Sequence, residues 1–373
     1  MLTTDQRYIL SLLRKSLLGK SEENTGYADI QAVRGMILRN GILLTVYQHL
    51  PQELQERLGK AYYALVRQSV NQQYEGEAVL EALSAANLRC IALKGWEMQK
   101  LYPETIMRQM ADLDILVQPY DYPRIREVMA GLGYVAEPES AWMHDSFIKN
   151  VVHVEMHKRL TDDSGLIQTW EKTAWERAEW IKGNLYRMSP EDYYIFHFVH
   201  LYKDFINGSL GLRRLADTWL LQQKAPDMAM VREYLESFGM WAFHERMVKL
   251  SRVTMGEEAL DANTELLLKH AFAYGIYGSG KSYKAGRIVS MGTSLEAGKI
   301  RSKLSAVFLP YKRMKAQFPI LERWPVLLPY CWGMRIVSYL SSNVDWSRRM
   351  LDYSKVTRAD YEEMKRFFEA GGV

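Results

Sequence analysis

Arg108-Gln-Met-Ala-Asp-Leu-Asp-Ile-Leu-Val117 runs two acids, Asp112 and Asp114, straight into an apolar, β-prone segment. Side chains two residues apart on a strand leave by the same face. A strand over 112–117 therefore projects Asp112 and Asp114 together from its start, while Leu113, Ile115 and Val117 point into a core. Paired carboxylates of this kind hold a divalent cation. Taken alone, the same pair also serves as a polar turn ahead of a buried strand, so the flanking sequence has to decide.

Upstream, Leu88-Arg-Cys-Ile-Ala-Leu93 is a second strand candidate, ending in Lys94-Gly95 and a short helical segment from Trp96 to Tyr102. Downstream, Pro123 suits the first turn of a helix from Tyr122 to Leu132, which Gly133 stops before a short strand at Tyr134 to Ala136. Val151-Val-His-Val-Glu-Met-His157 alternates from Val152, with Val152, Val154 and Met156 on one face and His153, Glu155 and His157 on the other. A third acid, Glu155, becomes available there. A zinc-type site on His153, Glu155 and His157 ranks below a carboxylate site for Mg2+, because no further Cys or His lies nearby in sequence.

Helical periodicity fills both flanks. Leu2 to about Asn87 repeats apolar residues at helix spacing, with Thr3, Thr4 and Asp5 as cap candidates. Beyond Ser189 the spacing predicts helices over Pro190–Asn207, Leu212–Lys224, Met228–Val248, Asn263–Tyr274, Ser294–Val307, Tyr330–Ser342 and Ala359–Glu369. The expected class is α+β: a small mixed-sheet α/β module at 88–188, between an N-terminal helical region at 1–87 and a C-terminal helical domain at 189–373.

Composition narrows the setting without deciding the function. The chain of 373 residues is 48% hydrophobic and 25% charged, ordinary for a globular protein. A formal net charge of +4 does not by itself indicate nucleic acid, although such a partner stays open. Cys90 and Cys331 form no disulfide framework or metal cluster, which points to a reducing, cytoplasmic setting. No secretory signal is evident, and the apolar run Trp324–Tyr339 is interrupted by Pro325, Pro329 and Arg335, too short for a transmembrane segment.

Leu93-Lys94-Gly95, Asp112-x-Asp114 and a later Glu155 resemble the order found in the DNA polymerase β-like nucleotidyltransferase superfamily: a glycine turn opening a helix, a D-x-D strand and a third acid. More closely, Ala92-Leu-Lys-Gly95, Leu101-Tyr-Pro103, Arg108-x-Met-x-Asp-x-Asp114 and Gly133-Tyr134 look like a family of bacterial nucleotidyltransferases with mostly unassigned substrates. The likeness covers roughly 88–157, and His200-x-x-Lys203 with Gly211-Leu-Arg-Arg-Leu-x-Asp217 looks like that family's helical region. It implies that Asp112, Asp114 and Glu155 hold Mg2+ or Mn2+ and carry catalysis, and that Gly95 lets the backbone approach the phosphates of a nucleoside triphosphate. His200 and Lys203 are then candidate substrate contacts. The superfamily's usual serine after the turn glycine is Trp96 here, which leaves Lys94 and Arg108 as the positive charges available to the phosphates.

Gly275-Ile-Tyr-Gly-Ser-Gly-Lys-Ser282 matches the phosphate-loop pattern at every position. A working phosphate loop follows a buried strand, yet Thr264–Tyr274 reads as a helix with Gly275 as its stop, so a glycine-rich turn is expected instead of an ATPase loop. The basic run from Lys299 to Lys315 is assigned no role. The leading expectation is a nucleotidyltransferase passing a nucleoside monophosphate to an unknown acceptor: small molecule, RNA or protein. Alternatives are a catalytically degenerate nucleotide- or partner-binding protein of the same fold, a D-x-D glycosyltransferase and a P-loop ATPase. The strand follows the D-x-D here, whereas in glycosyltransferases it precedes it.

Overall fold

Asp114 sits in the middle of the sheet that organises the first part of the chain. The computed structural model describes residues 1–20, 26–137, 144–161, 165–224, 226–341 and 353–373. Seven strands form one mixed sheet: β1 (Cys90–Ala92), β2 (Leu113–Val117), β3 (Val135–Ala136), β4 (His144–Lys149), β5 (Val152–His157), β6 (Glu179–Lys182) and β7 (Leu185–Arg187). Their order across the sheet is β3-β4-β5-β2-β1-β7-β6. Parallel pairing occurs at β2 with β5 and at β1 with β7, and the other neighbours are antiparallel. Helices flank the sheet in sequence, so the α+β class expected from the pattern is the one observed.

The two faces of the sheet differ in chemistry because the strands alternate. On one face Cys90, Ala92, Leu113, Ile115, Val117, Phe147, Val152, Val154 and Met156 join a buried cluster. Helices α1 (Thr4–Leu18), α2 (Ile30–Arg39), α3 (Leu43–Val46) and α4 (Gln52–Ala85) precede the sheet, and Val79, Leu80 and Leu83 of α4 enter this cluster. So does Trp96 on α5 (Lys94–Met98), together with Ile125 and Met129 on α6 (Tyr122–Gly131). Packing of Trp96 needs Gly76 on α4: a Cβ there would stand 2.5 Å from the indole and 3.1 Å from Leu113. The opposite face carries Asp112 and Asp114 beside Glu155 and His157.

Helix stops depart from the pattern where a glycine intervenes. The helix expected over 228–248 is two, α10 (Met228–Ser237) and α11 (Trp241–Met255), following α7 (Leu166–Ala174), α8 (Pro190–Ile206) and α9 (Leu212–Gln222). Gly239 takes φ 69° and the Met240 amide donates back to the Leu235 carbonyl, a left-handed stop that apolar spacing does not register. The next helix, α12 (Ala262–Tyr274), starts one residue before the expected Asn263 and is capped by Asp261, whose side chain accepts from the Thr264 amide. Strands β4, β6 and β7 were not anticipated. The last residue of the helix expected at 330–342 lies outside the described residues.

The chain divides into two compact units, the first made of residues 1–203, 210–277 and 370–373. The second comprises residues 204–209 and 278–369, with α13 (Gly280–Val289), α14 (Leu295–Val307), α15 (Tyr311–Gln317), α16 (Ile320–Arg323), α17 (Leu328–Ser341) and most of α18 (Arg358–Gly371). Within that second unit Phe205 stacks on Phe367 at 4.1 Å and the Tyr361 hydroxyl donates to the Thr293 carbonyl.

Adding a methyl at Gly76 forces the buried indole and Leu113 to move, which costs about 1–3 kcal/mol. The Gly76→Ala protein should unfold at lower denaturant concentration with an unchanged m-value, despite alanine's better helix propensity; an unchanged midpoint would show that this contact does not constrain the core.

Candidate active site

The acids expected from the sequence converge on the polar face. Parallel pairing of β2 with β5 sets Asp114 beside Glu155, and Asp112 precedes it on the same face. Asp112 and Glu155 line a cleft of about 580 Å³ together with Gln68, Gln109, Ser146, His153 and Tyr277. Asp114 lies deeper, 2% exposed, and is held by two cationic or protonatable groups. Lys94 Nζ stands 2.5 Å from its Oδ1, and His157 Nε2 stands 2.6 Å from the same oxygen.

These contacts set the protonation of the site. Burial pushes the Asp114 carboxyl up, but Lys94 and His157 outweigh it and hold the group far below the usual range. Asp112 has no such partner among the described residues; burial and the neighbouring Asp114 charge push it up to about 6. Burial also raises Glu155, and its hydrogen bond from His157, at 3.2 Å, brings it below the ordinary value. His157 itself is depressed by burial and raised by Asp114 and Glu155, the carboxylates winning. The Lys94 amine, despite burial, is driven upward by Asp114 and Asp112 and keeps its charge.

A second histidine joins from an unexpected strand. His144 on β4 pairs in register with His157, and its Nε2 lies 3.6 Å from Glu155. His144, Glu155 and His157 each place one ligand-type atom within 4.8 Å of the others. The nitrogen donors beside Glu155 are therefore His144 and His157, while His153 is exposed at the cleft wall. His144-Asp-Ser-Phe-Ile-Lys149 shows no apolar alternation, because Asp145 is buried through Arg126 at 2.8 Å and Lys158 at 2.9 Å. The usable signal was Asn150, which takes φ 55° in the two-residue turn joining β4 to β5.

Lys94 has φ 40°, a conformation non-glycine residues seldom adopt, and the Tyr193 hydroxyl on α8 donates to its carbonyl at 2.7 Å. Gly95 is closely packed by its neighbours. A Cβ there would sit 2.7 Å from Met110 and 2.8 Å from the Arg108 guanidinium, so its space is filled by the loop that leads into Asp112. Arg108 does not face the cleft. It makes two 2.8 Å bonds to Asp217 on α9, which also accepts from the Tyr102 hydroxyl at 2.9 Å. His200, with Lys94, Arg108 and Tyr193, lines a cavity of only about 10 Å³ behind the acids. Burial, then the charge of Lys94, pushes its imidazole well below the ordinary value; Lys203, one turn further on, acts on it in the same direction.

The phosphate-loop match takes the course its context suggested. Helix α12 precedes it, Gly275 stops that helix with φ 66°, and a Cβ there would meet the Arg39 carbonyl oxygen at 2.2 Å. In the second unit Ser279 and Ser282 cap α13 reciprocally, and Lys281 pairs with Asp360 at 2.6 Å.

Removing the guanidinium in Arg108→Ala leaves the Asp217 charge buried without its main partner and should cost about 3–5 kcal/mol at neutral pH. Burial would raise Asp217, yet Arg108 lowers it to about 2, against about 4 for an unfolded chain. The ionised group therefore stabilises the fold above pH 4, and this contribution fades as pH falls towards 2. Thermal unfolding of wild type and variant should converge over that window; a constant gap would remove the ion pair as its source. Replacement of Lys281 by Ala should leave nucleoside triphosphate affinity within about twofold, read by equilibrium binding. A collapse of ATP binding would restore the phosphate-loop reading.

Searches of curated proteins and of solved structures returned no match. A family model described as an uncharacterised nucleotidyltransferase matches residues 20–256, which include β1 to β7 and every acid of the cleft. By that match, the chain belongs to this nucleotidyltransferase family.

Proposed function

We propose that the cleft transfers a nucleoside monophosphate from a nucleoside triphosphate to a hydroxyl or similar acceptor, with Mg2+ or Mn2+ held by Asp112, Asp114 and Glu155. One observation carries the reading: three carboxylates share one sheet face, and Asp112 stands at the cleft with no donor among the described residues and a raised pKa. Such a donor set suits a hard divalent ion. The order of glycine turn, D-x-D strand and third acid resembles that of the DNA polymerase β-like superfamily, and here the third acid lies on the strand beside the D-x-D, which supports the reading. A bound ion supplies charge neutralisation for the triphosphate and lowers the pKa of the attacking hydroxyl.

The chain's own groups divide the remaining work. Lys94, one-fifth exposed and charged, is the cation nearest the acids and orients the phosphates. Glu155 faces the cleft and helps activate the acceptor. Arg108 fixes the 108–111 loop through Asp217, His200 lines the small cavity beside Lys94, and Lys203 acts on His200 through its charge. A second reading, nucleotide binding without transfer, draws on the Lys94 and His157 contacts that already neutralise Asp114.

Incubation of the full chain with labelled ATP, CTP, GTP and UTP, a divalent ion and a cell extract separates the two. Transfer of label should occur in wild type and fall to background in Asp112→Ala/Asp114→Ala. Triphosphate binding without transfer would favour the second reading, and no binding of any triphosphate sinks both. The imidazoles of His144 and His157 beside Glu155 suit Mn2+ better than Mg2+. Half-maximal transfer should therefore need roughly tenfold less Mn2+ than Mg2+, and His144→Ala should narrow that ratio. An unaltered ratio in the variant would remove His144 from the site.

A further inference from the structure

In the second unit, α14 to α17 bury very little and expose a great deal. α15 packs on α16 and α17, but among the described residues the fully buried core there is Met314, Leu321 and Cys331, with Phe318, Leu328 and Trp332 partly buried against it. Outside it, Trp324, Val326, Tyr330, Met334 and Val337 are 48–77% exposed. Tyr330, Met334 and Val337 follow i, i+4, i+7 spacing along α17, so they form one apolar stripe facing away from that core. Ile300, Leu304 and Phe308 repeat the arrangement on α14 and its C-cap at i, i+4, i+8, each 45–60% exposed. Two such stripes, with Phe308 of the first set edge-on against Trp332 of α17 at 5.2 Å, mark a docking face.

Charge identifies the occupant. Residues 295–341 contain eight basic and two acidic residues, while the whole chain carries a formal net charge of only +4. Both acids are spent locally: Glu296 pairs with Lys299 at 3.2 Å and Glu322 with Lys315 at 3.0 Å. Arg301, Arg313 and Arg323 are exposed among the apolar side chains. A second copy of this surface would bring like charges together. Nucleic acid would satisfy the cations and leave Val326, Met334 and Val337 uncovered. An anionic lipid surface satisfies both, because headgroups neutralise Lys and Arg while Trp, Tyr and aliphatic side chains enter the boundary below. The α17 helix, at 14 residues, is too short to span a bilayer, and no helix of the described residues is long and apolar enough to do so.

We propose that residues 295–341 form an interfacial surface that lays this protein on anionic membranes. Sedimentation of the full-length protein with phosphatidylcholine vesicles, alone or with about one-third phosphatidylglycerol, tests it. At low salt the protein should sediment with the anionic vesicles at least about tenfold more than with the zwitterionic ones, and high salt should release it. Arg313→Glu/Arg323→Glu should lower the bound fraction by about tenfold or more. Val326→Ser/Met334→Ser, which keeps the charge, should lower it about as much, with circular dichroism unchanged. No sedimentation with anionic vesicles, equal sedimentation with both kinds, or full binding by either variant overturns the proposal. Tight binding of single-stranded RNA that survives Val326→Ser/Met334→Ser, with vesicles unbound, would assign the surface to nucleic acid.

Discussion

A carboxylate buried in a central strand is the constraint around which the first unit is arranged. Asp114 is the second residue of β2, the strand between β1 and β5, where an unpaired charge would cost several kcal/mol. Its tolerance depends on Lys94 at the end of β1 and His157 at the end of β5, both within 2.6 Å. Those two contacts tie three strands together on the polar face, just as the apolar cluster ties them on the other. The same contacts leave Asp112 and Glu155 as the acids that face open space.

A second buried pair determines where Asp112 stands. Arg108 and Tyr102 converge on Asp217, joining the segment before β2 to α9 more than a hundred residues later. Arg213 adds a 2.8 Å bond to the Gln109 carbonyl. The loop carrying Asp112 is thus gripped by side chains of the helical region, so the helices do more than cover the sheet. They fix the angle at which its first acid is presented.

The sheet's apolar face was legible in the sequence because its strands alternate: Leu113, Ile115, Val117, Val152, Val154 and Met156 fall where period two puts them. The convergence of Asp112, Asp114 and Glu155 followed from the same rule. His144 was hidden, since its strand buries Asp145 on the face where alternation would put an apolar residue. The ion pair of Arg108 was hidden for a related reason: adjacency to Asp112 in sequence says nothing about a partner at Asp217. Trp96 after the turn glycine gave no hint of its own place, which depends on the absence of a side chain at Gly76, twenty residues earlier. Interactions that rest on distant complementary gaps and charges leave no periodic trace.

The turn at Asn150 and Val151 gives the site an unusual kind of evolvability. It joins β4 to β5 in register, and side chains on β4 alternate between the apolar core and the acids. Insertion or loss of one codon there would turn the strand over, withdrawing His144 and Ser146 from the polar face and presenting Asp145 in their place. Phe147 would then leave the core, at a cost in stability. Nitrogen and oxygen donors are therefore separated by a single step in the reading of one hairpin, and what opposes the exchange is the burial of Phe147 together with the pairing of Asp145 to Arg126 and Lys158.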